Sequence, residues 1–138
     1  MAMVDVEWEK FLGGPVKPPS LRLHATIGRN RRIHLNANLF KRLGSPEAVW
    51  LFFNRSLQQI AIQATSLRMP EAFPVGFHYT NKSTRYISAA SFCTHFGIKI
   101  RQTHKFNNPH FSPDGKLILN LNETTIVSRT TKRRSAAE

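Results

Sequence analysis

Apolar and polar residues alternate along this chain in short runs, and turn-forming residues cut those runs every few positions. No other feature constrains the fold as strongly. Across 20–28, Leu21, Leu23, Ala25 and Ile27 point one way and Arg22, His24 and Thr26 the other, the period of a half-buried strand. Gly28-Arg29-Asn30 reads as a turn, because Gly and Asn tolerate positive φ. Arg32-Ile33-His34-Leu35 resumes the alternation as a second, short strand. Asn36 is placed as an N-cap for a short helix with Ala37, Leu39, Phe40 and Leu43 on its apolar face, stopped by Gly44. AVWLFFN (48–54) is an apolar run of strand length, Asn54-Arg55-Ser56 a tight turn, and Gln59-Ile60-Ala61-Ile62-Gln63 the returning arm of a hairpin.

Residues 76–122 echo this plan. The expected order is a strand at 76–79, a turn at Asn81-Lys82-Ser83, a strand at 85–87, and a helix opened by Ser88 or Ala89 and ended by Gly97. A strand from Ile98 to about Phe106, a long turn region at 107–115 and a last strand at 116–121 follow. At an offset of 53 residues Arg32 meets Arg85, Ala37 meets Ala90, Leu39 meets Phe92, Leu43 meets Phe96 and Gly44 meets Gly97. The reading is a diverged duplication. It divides the chain into an N-terminal arm (1–19), a first hairpin unit (20–64), a linker with Pro70 and Pro74 (65–75), a second unit (76–122) and a basic, disordered tail (123–138). In the arm, Val4, Trp8, Phe11 and Leu12 have roughly helical spacing.

Charge narrows the chemistry. Lys and Arg number 20 against 8 Asp plus Glu, a formal +12. The arm carries −1, the first unit +6, residues 65–122 +5 and the tail +2, so the excess belongs to the units expected to fold. Such a balance points to an acidic partner, nucleic acid first. Arg29, Arg31 and Arg32 cluster at the first turn, with Lys41 and Arg42 on the following helix. Arginine offers a planar fork for phosphate oxygens or guanine edges. Hydrolytic sites built on clustered carboxylates are disfavoured, because only Asp5, Glu7 and Glu9 lie close in sequence.

The stretch ATIGRNRRIHLNANLFKRLGSPEAVWLFF (25–53), continuing to IAIQ (60–63), resembles the AbrB-type swapped-hairpin domain. Gly28-Arg29, Ile33-His34-Leu35, Leu39 with Leu43-Gly44, and Val49 through Ile62 fill the family's slots. The helix opens after Leu35-Asn36, where the family commonly has Pro, and the turn is about two residues longer. The tandem plan is similar to the MraZ-like branch. The resemblance implies a mainly β fold with short helices (α+β) and a swapped-hairpin, barrel-like core of two pseudo-repeats. It also implies a transcriptional regulator whose basic turns and helix ends dock on duplex DNA, as an intrachain pseudo-dimer or a homodimer. Arg29, Arg31, Arg32, Lys41 and Arg42 would make the contacts, with Arg55, Lys82, Arg85, Lys99 and Arg101 as further candidates.

Rival readings are a protein-interaction module for an acidic surface such as RNA polymerase, using Trp8 and Phe11, and an RNA-binding protein. Tyr79, Tyr86, Phe106 and Phe111 are candidates for base stacking, whereas Trp50, Phe52, Phe53, Phe92 and Phe96 read as core. Cys93, His95, His104 and His110 lack a recognised zinc spacing, and Cys93 falls on an apolar helix face. Neither metal, cofactor nor enzymatic activity is expected. A single cysteine excludes an intrachain disulfide and fits a cytoplasmic setting. The N-terminus lacks a secretory pattern, and with no apolar run near 18 residues no membrane partner is expected.

Overall fold

The alternating runs become strands of one antiparallel sheet. The computed structural model describes residues 7–12, 14–15, 22–77 and 83–127. In chain order the elements are β1 (Ala25–Ile27), β2 (Arg32–Leu35), α1 (Ala37–Arg42), β3 (Ala48–Asn54), β4 (Gln59–Thr65), β5 (Phe73–Phe77), β6 (Arg85–Ser88), α2 (Ala90–Phe96), β7 (His104–Phe106), β8 (His110–Phe111), β9 (Leu117–Asn120) and β10 (Thr124–Ile126). The fold is mainly β with two short helices, a curled half-barrel. Its strand order is β10-β7-β1-β2-β6-β5-β3-β4-β9-β8.

Both ends of that order belong to the same stretch of chain. β7 runs on through 107–109 into β8, and β9 through 121–123 into β10. β7 pairs with β10, and β8 with β9. The Asn107 amide donates to the Glu123 carbonyl at 2.8 Å, tying the two interruptions together.

Curling gives the sheet one inner face. Ala25, Ile27, Ile33, Leu35, Val49, Ile60, Ile62, Ile87, Leu117 and Leu119 all point there and are fully buried. These are the alternate positions of the strands, so the period-two pattern is the cause of the core. Leu39 from α1 and Phe92 and Cys93 from α2 join the same cluster. α2 ends at Gly97, whose φ of 70° is the left-handed conformation that glycine adopts without steric cost.

Two central ladders join the halves of the chain. In β2·β6, Ile33 lies opposite Ile87, flanked by Arg32 opposite Ser88 and His34 opposite Tyr86. In β4·β9, Ala61 lies opposite Ile118, flanked by Ile60 opposite Leu119 and Ile62 opposite Leu117.

Several expectations need correction. The stretch read as a linker ends in β5: Phe73 and Pro74 pair with β3, and Val75–Phe77 pair with β6, so this strand bridges the two halves of the sheet. Proline hid it, because Pro ordinarily argues against a sheet interior. The strand expected from Ile98 is confined to His104–Phe106. The long turn region contains β8, and the supposed tail begins with β10. Residues 7–12 form neither helix nor strand, and Trp8, Phe11 and Leu12 are exposed. Phe52 points away from the core and is 42% exposed.

Asn36 locks the first unit together. Its side-chain oxygen accepts from the Leu39 amide at 3.0 Å, capping α1, and from the His24 amide at 3.3 Å. Its Nδ2 donates to the Arg22 carbonyl at 2.6 Å. Asn36→Ala removes the cap and both ties to the segment entering β1. We expect a loss of about 1–2 kcal/mol in urea denaturation, with Asn36→Asp recovering part of it because the cap acceptor survives.

Candidate nucleic-acid interface

The described candidate cations are spread over turns, α1 and two strands, and strand parity places the two on strands, Arg32 and Arg85. Arg29 sits exposed in the β1–β2 turn. Arg31 precedes β2, whereas Arg32 opens it on the outer face. Arg31 has a left-handed backbone, φ 61°, and its carbonyl accepts from the Ala89 amide. It is half-buried on the inner side, where its Nε makes no hydrogen bond and its charge reaches the Cys93 thiol. Burial still pushes that thiol up, and Arg31 opposes the shift. Arg32 projects outward, with its guanidinium 4.4 Å from the centre of the Tyr86 ring.

Arg85 also turns inward, opposite the fully buried Leu35. Its guanidinium lies 4.1 Å from the Phe77 ring and 4.9 Å from Phe40 on α1. Lys41 and Arg42 are exposed on α1, and Arg42 reaches Phe111 on β8 at 6.0 Å. Arg55, in the β3–β4 turn, lies 5.2 Å from Phe96 on α2. Lys99 and Arg101 are exposed after α2. Lys82 lies outside the described residues, as does Tyr79.

Aromatic faces, more than carboxylates, hold these arginines. With 8 acids for 20 bases, most of the cations have no carboxylate available. A ring positions a guanidinium through its quadrupole without neutralising it, so the positive field persists. Lys116 is different: it pairs with Asp114, which also accepts from the Ser112 hydroxyl, and together they hold the Asp114 carboxyl down at about 2.

Sequence reasoning missed the outward row that crosses the cationic half of the sheet. Register places Thr125 beside Lys105, Lys105 beside Thr26, Thr26 beside His34, His34 beside Tyr86, and Tyr86 beside Gly76. The row was illegible because β7 and β10 come from the far end of the chain. Next to it, Arg22, His24, Lys105 and Asn107 line a cleft of about 330 Å³. By contrast β3, β4 and β9 contain no Asp, Glu, Lys or Arg. Their outward residues include Phe52 and Trp50, whose Nε1 donates to the Pro70 carbonyl at 2.9 Å.

Of the proposed stacking residues, Phe106 is core and Tyr86 lies outward beneath Arg32. Among the described residues there is no group of three or more His, Cys, Asp or Glu that could hold a metal.

His24 is lowered from 6.5, first by desolvation in the cleft and second by the Lys105 charge. The folded state therefore favours the neutral ring. Stability from this group is complete above 6.5 and falls as pH drops through the lowered value. Lys105→Met should raise the His24 midpoint in an NMR titration without restoring it fully, because desolvation remains.

No family model matches the chain, and no curated protein or solved structure is significantly similar to it.

Proposed function

We propose that the protein is a DNA-binding regulator of the swapped-hairpin type, in which two interleaved units of one chain present a cationic surface to duplex DNA. The observation that carries this reading is the division of charge over the sheet. Strands β1, β2, β6 and β7 hold Arg32, Arg85 and Lys105, whereas strands β3, β4 and β9 hold no charged residue and are flanked by Arg55 and the Lys116–Asp114 pair in their turns. A surface tuned only for solubility mixes signs; this one separates a basic region from a neutral one.

Reciprocal packing supports the interleaving. In this reading β1-β2-α1-β3-β4 is repeated as β5-β6-α2, then β7 with β8, then β9 with β10. Two ladders of four pairs, β2·β6 and β4·β9, each join a strand of one unit to a strand of the other. Arg31 of the first unit reaches Cys93 on α2, and Arg85 of the second reaches Phe40 on α1. Phe96 of α2 packs 5.0 Å from Phe53 on β3, while Arg42 of α1 lies over Phe111 on β8. Each helix covers the other unit's strands. A pseudo-two-fold protein suits the local two-fold symmetry of a duplex.

The test is a salt titration of binding to a labelled duplex. Six or more phosphate contacts imply a loss of at least about 10³ in affinity between roughly 50 and 200 mM salt. No binding at low salt, or a flat response, rejects the reading. Preference for single-stranded RNA would replace duplex DNA as the ligand.

A further inference from the structure

Within that reading, the contact surface can be named more closely. We infer that the outward face of β7, β1, β2 and β6, rather than the helix ends, receives the phosphodiester backbone, and that Tyr86 and Gly76 position Arg32 on it. The proposal rests on duplex binding, but its geometry is independent of the family resemblance.

Gly76 lies opposite Tyr86 across β5·β6. A Cβ built there would lie 2.7 Å from Tyr86 Cζ and 2.9 Å from both Cε2 and the hydroxyl oxygen. A side chain there would have to displace the end of the Tyr86 ring, which lies over the β5 backbone at Gly76. Its ring centre is then 4.4 Å from the Arg32 guanidinium carbon. Arginine on an exposed strand ordinarily samples many rotamers; stacking removes part of that freedom before a ligand arrives. The planar fork stays charged and a cation–π contact uses up none of its N–H donors as hydrogen bonds to a carboxylate would, which suits a phosphate or a guanine edge. Arg32 itself is exposed.

The rest of the face continues the same chemistry. His34 is the cross-strand partner of Tyr86, their rings 6.0 Å apart, and Thr26 and Lys105 follow on β1 and β7. Neighbouring strands are about 4.8 Å apart, so the row from Tyr86 to Lys105 spans roughly 14 Å, the reach of two or more successive phosphates. Beyond Lys105 the cleft adds Arg22, His24 and Asn107. Donors and cations thus form a line with no carboxylate in it. Charge complementarity to a polyanion is what selects the occupant. The helix-end cations Lys41 and Arg42 lie on α1, outside this row.

Binding of one labelled DNA duplex is measured for the wild type and two sets of variants, with folding checked by thermal melts. Arg32→Ala and Tyr86→Ala should each weaken binding about tenfold, and the double variant little more than either, because both remove one positioned fork. Tyr86→Phe keeps the ring and should bind like the wild type, whereas Gly76→Ala should weaken binding as Tyr86→Ala does. Lys105→Gln should lower the salt slope by about one. Lys41→Gln with Arg42→Gln should change affinity less than twofold. The inference is overturned if the helix pair carries the loss, if Arg32 and Tyr86 act additively, or if all charge removals weaken binding equally. In each of those cases wild-type duplex binding survives. If the wild type does not bind duplex at low salt, both the functional reading and this inference fall.

Discussion

The pairing of Ile33 with Ile87 across β2·β6 is the contact on which the rest of the structure depends. Both residues are fully buried, and this ladder, with β4·β9, β1·β7 and β3·β5, joins the two halves of the chain as strands. Neither half buries a core alone, since a few short antiparallel strands leave one apolar face open to water. Closure comes from exchange. α2 lays Phe92 and Phe96 against Phe53 of β3, and α1 presents Phe40 to Arg85 of β6. A defect in one half is therefore felt as lost packing in the other.

A core built this way leaves electrostatics to the other face. The chain has too few acids to balance its bases, and a compact state of +12 repels itself. Placing arginines on aromatic rings lessens the cost of ordering them but leaves their charge in place. Arg32 on Tyr86, Arg55 on Phe96 and Arg42 near Phe111 follow this pattern. A bound polyanion would relieve the repulsion, so ligand affinity and fold stability are thermodynamically linked in such a protein.

Much of this architecture was legible from periodicity. β2 and β3 fall at the expected residues because one alternates cleanly and the other is a continuous apolar run bounded by turn signals. Asn36 and Gly97 punctuate the helices as their chemistry requires. The losses have specific causes. Pro74 disguised β5, and the three residues of β10, TTI, have no pattern until β7 lies beside them. The proposed alignment of Arg32 with Arg85 followed residue identity. Both residues do open a strand, β2 and β6, but because Ile33 pairs with Ile87 their faces differ by one residue, Arg32 outward and Arg85 inward. Identity between charged residues is a weaker guide than the face a residue must occupy.

That single residue has functional weight. In a sheet with one buried face, neighbouring positions answer to different forces, so the cluster Arg29, Arg31 and Arg32 is not one site. Arg31 lies under the sheet in a left-handed backbone conformation beside Cys93, and its loss would be read in stability. Arg32 is exposed over Tyr86, and under the proposed function its loss would be read in binding. A double substitution of the pair would mix the two effects and suggest a binding defect even if only the fold had failed. Separating them follows from where β2 begins, with Arg31 in a left-handed turn position before it and Arg32 on its outer face, which no count of basic residues contains.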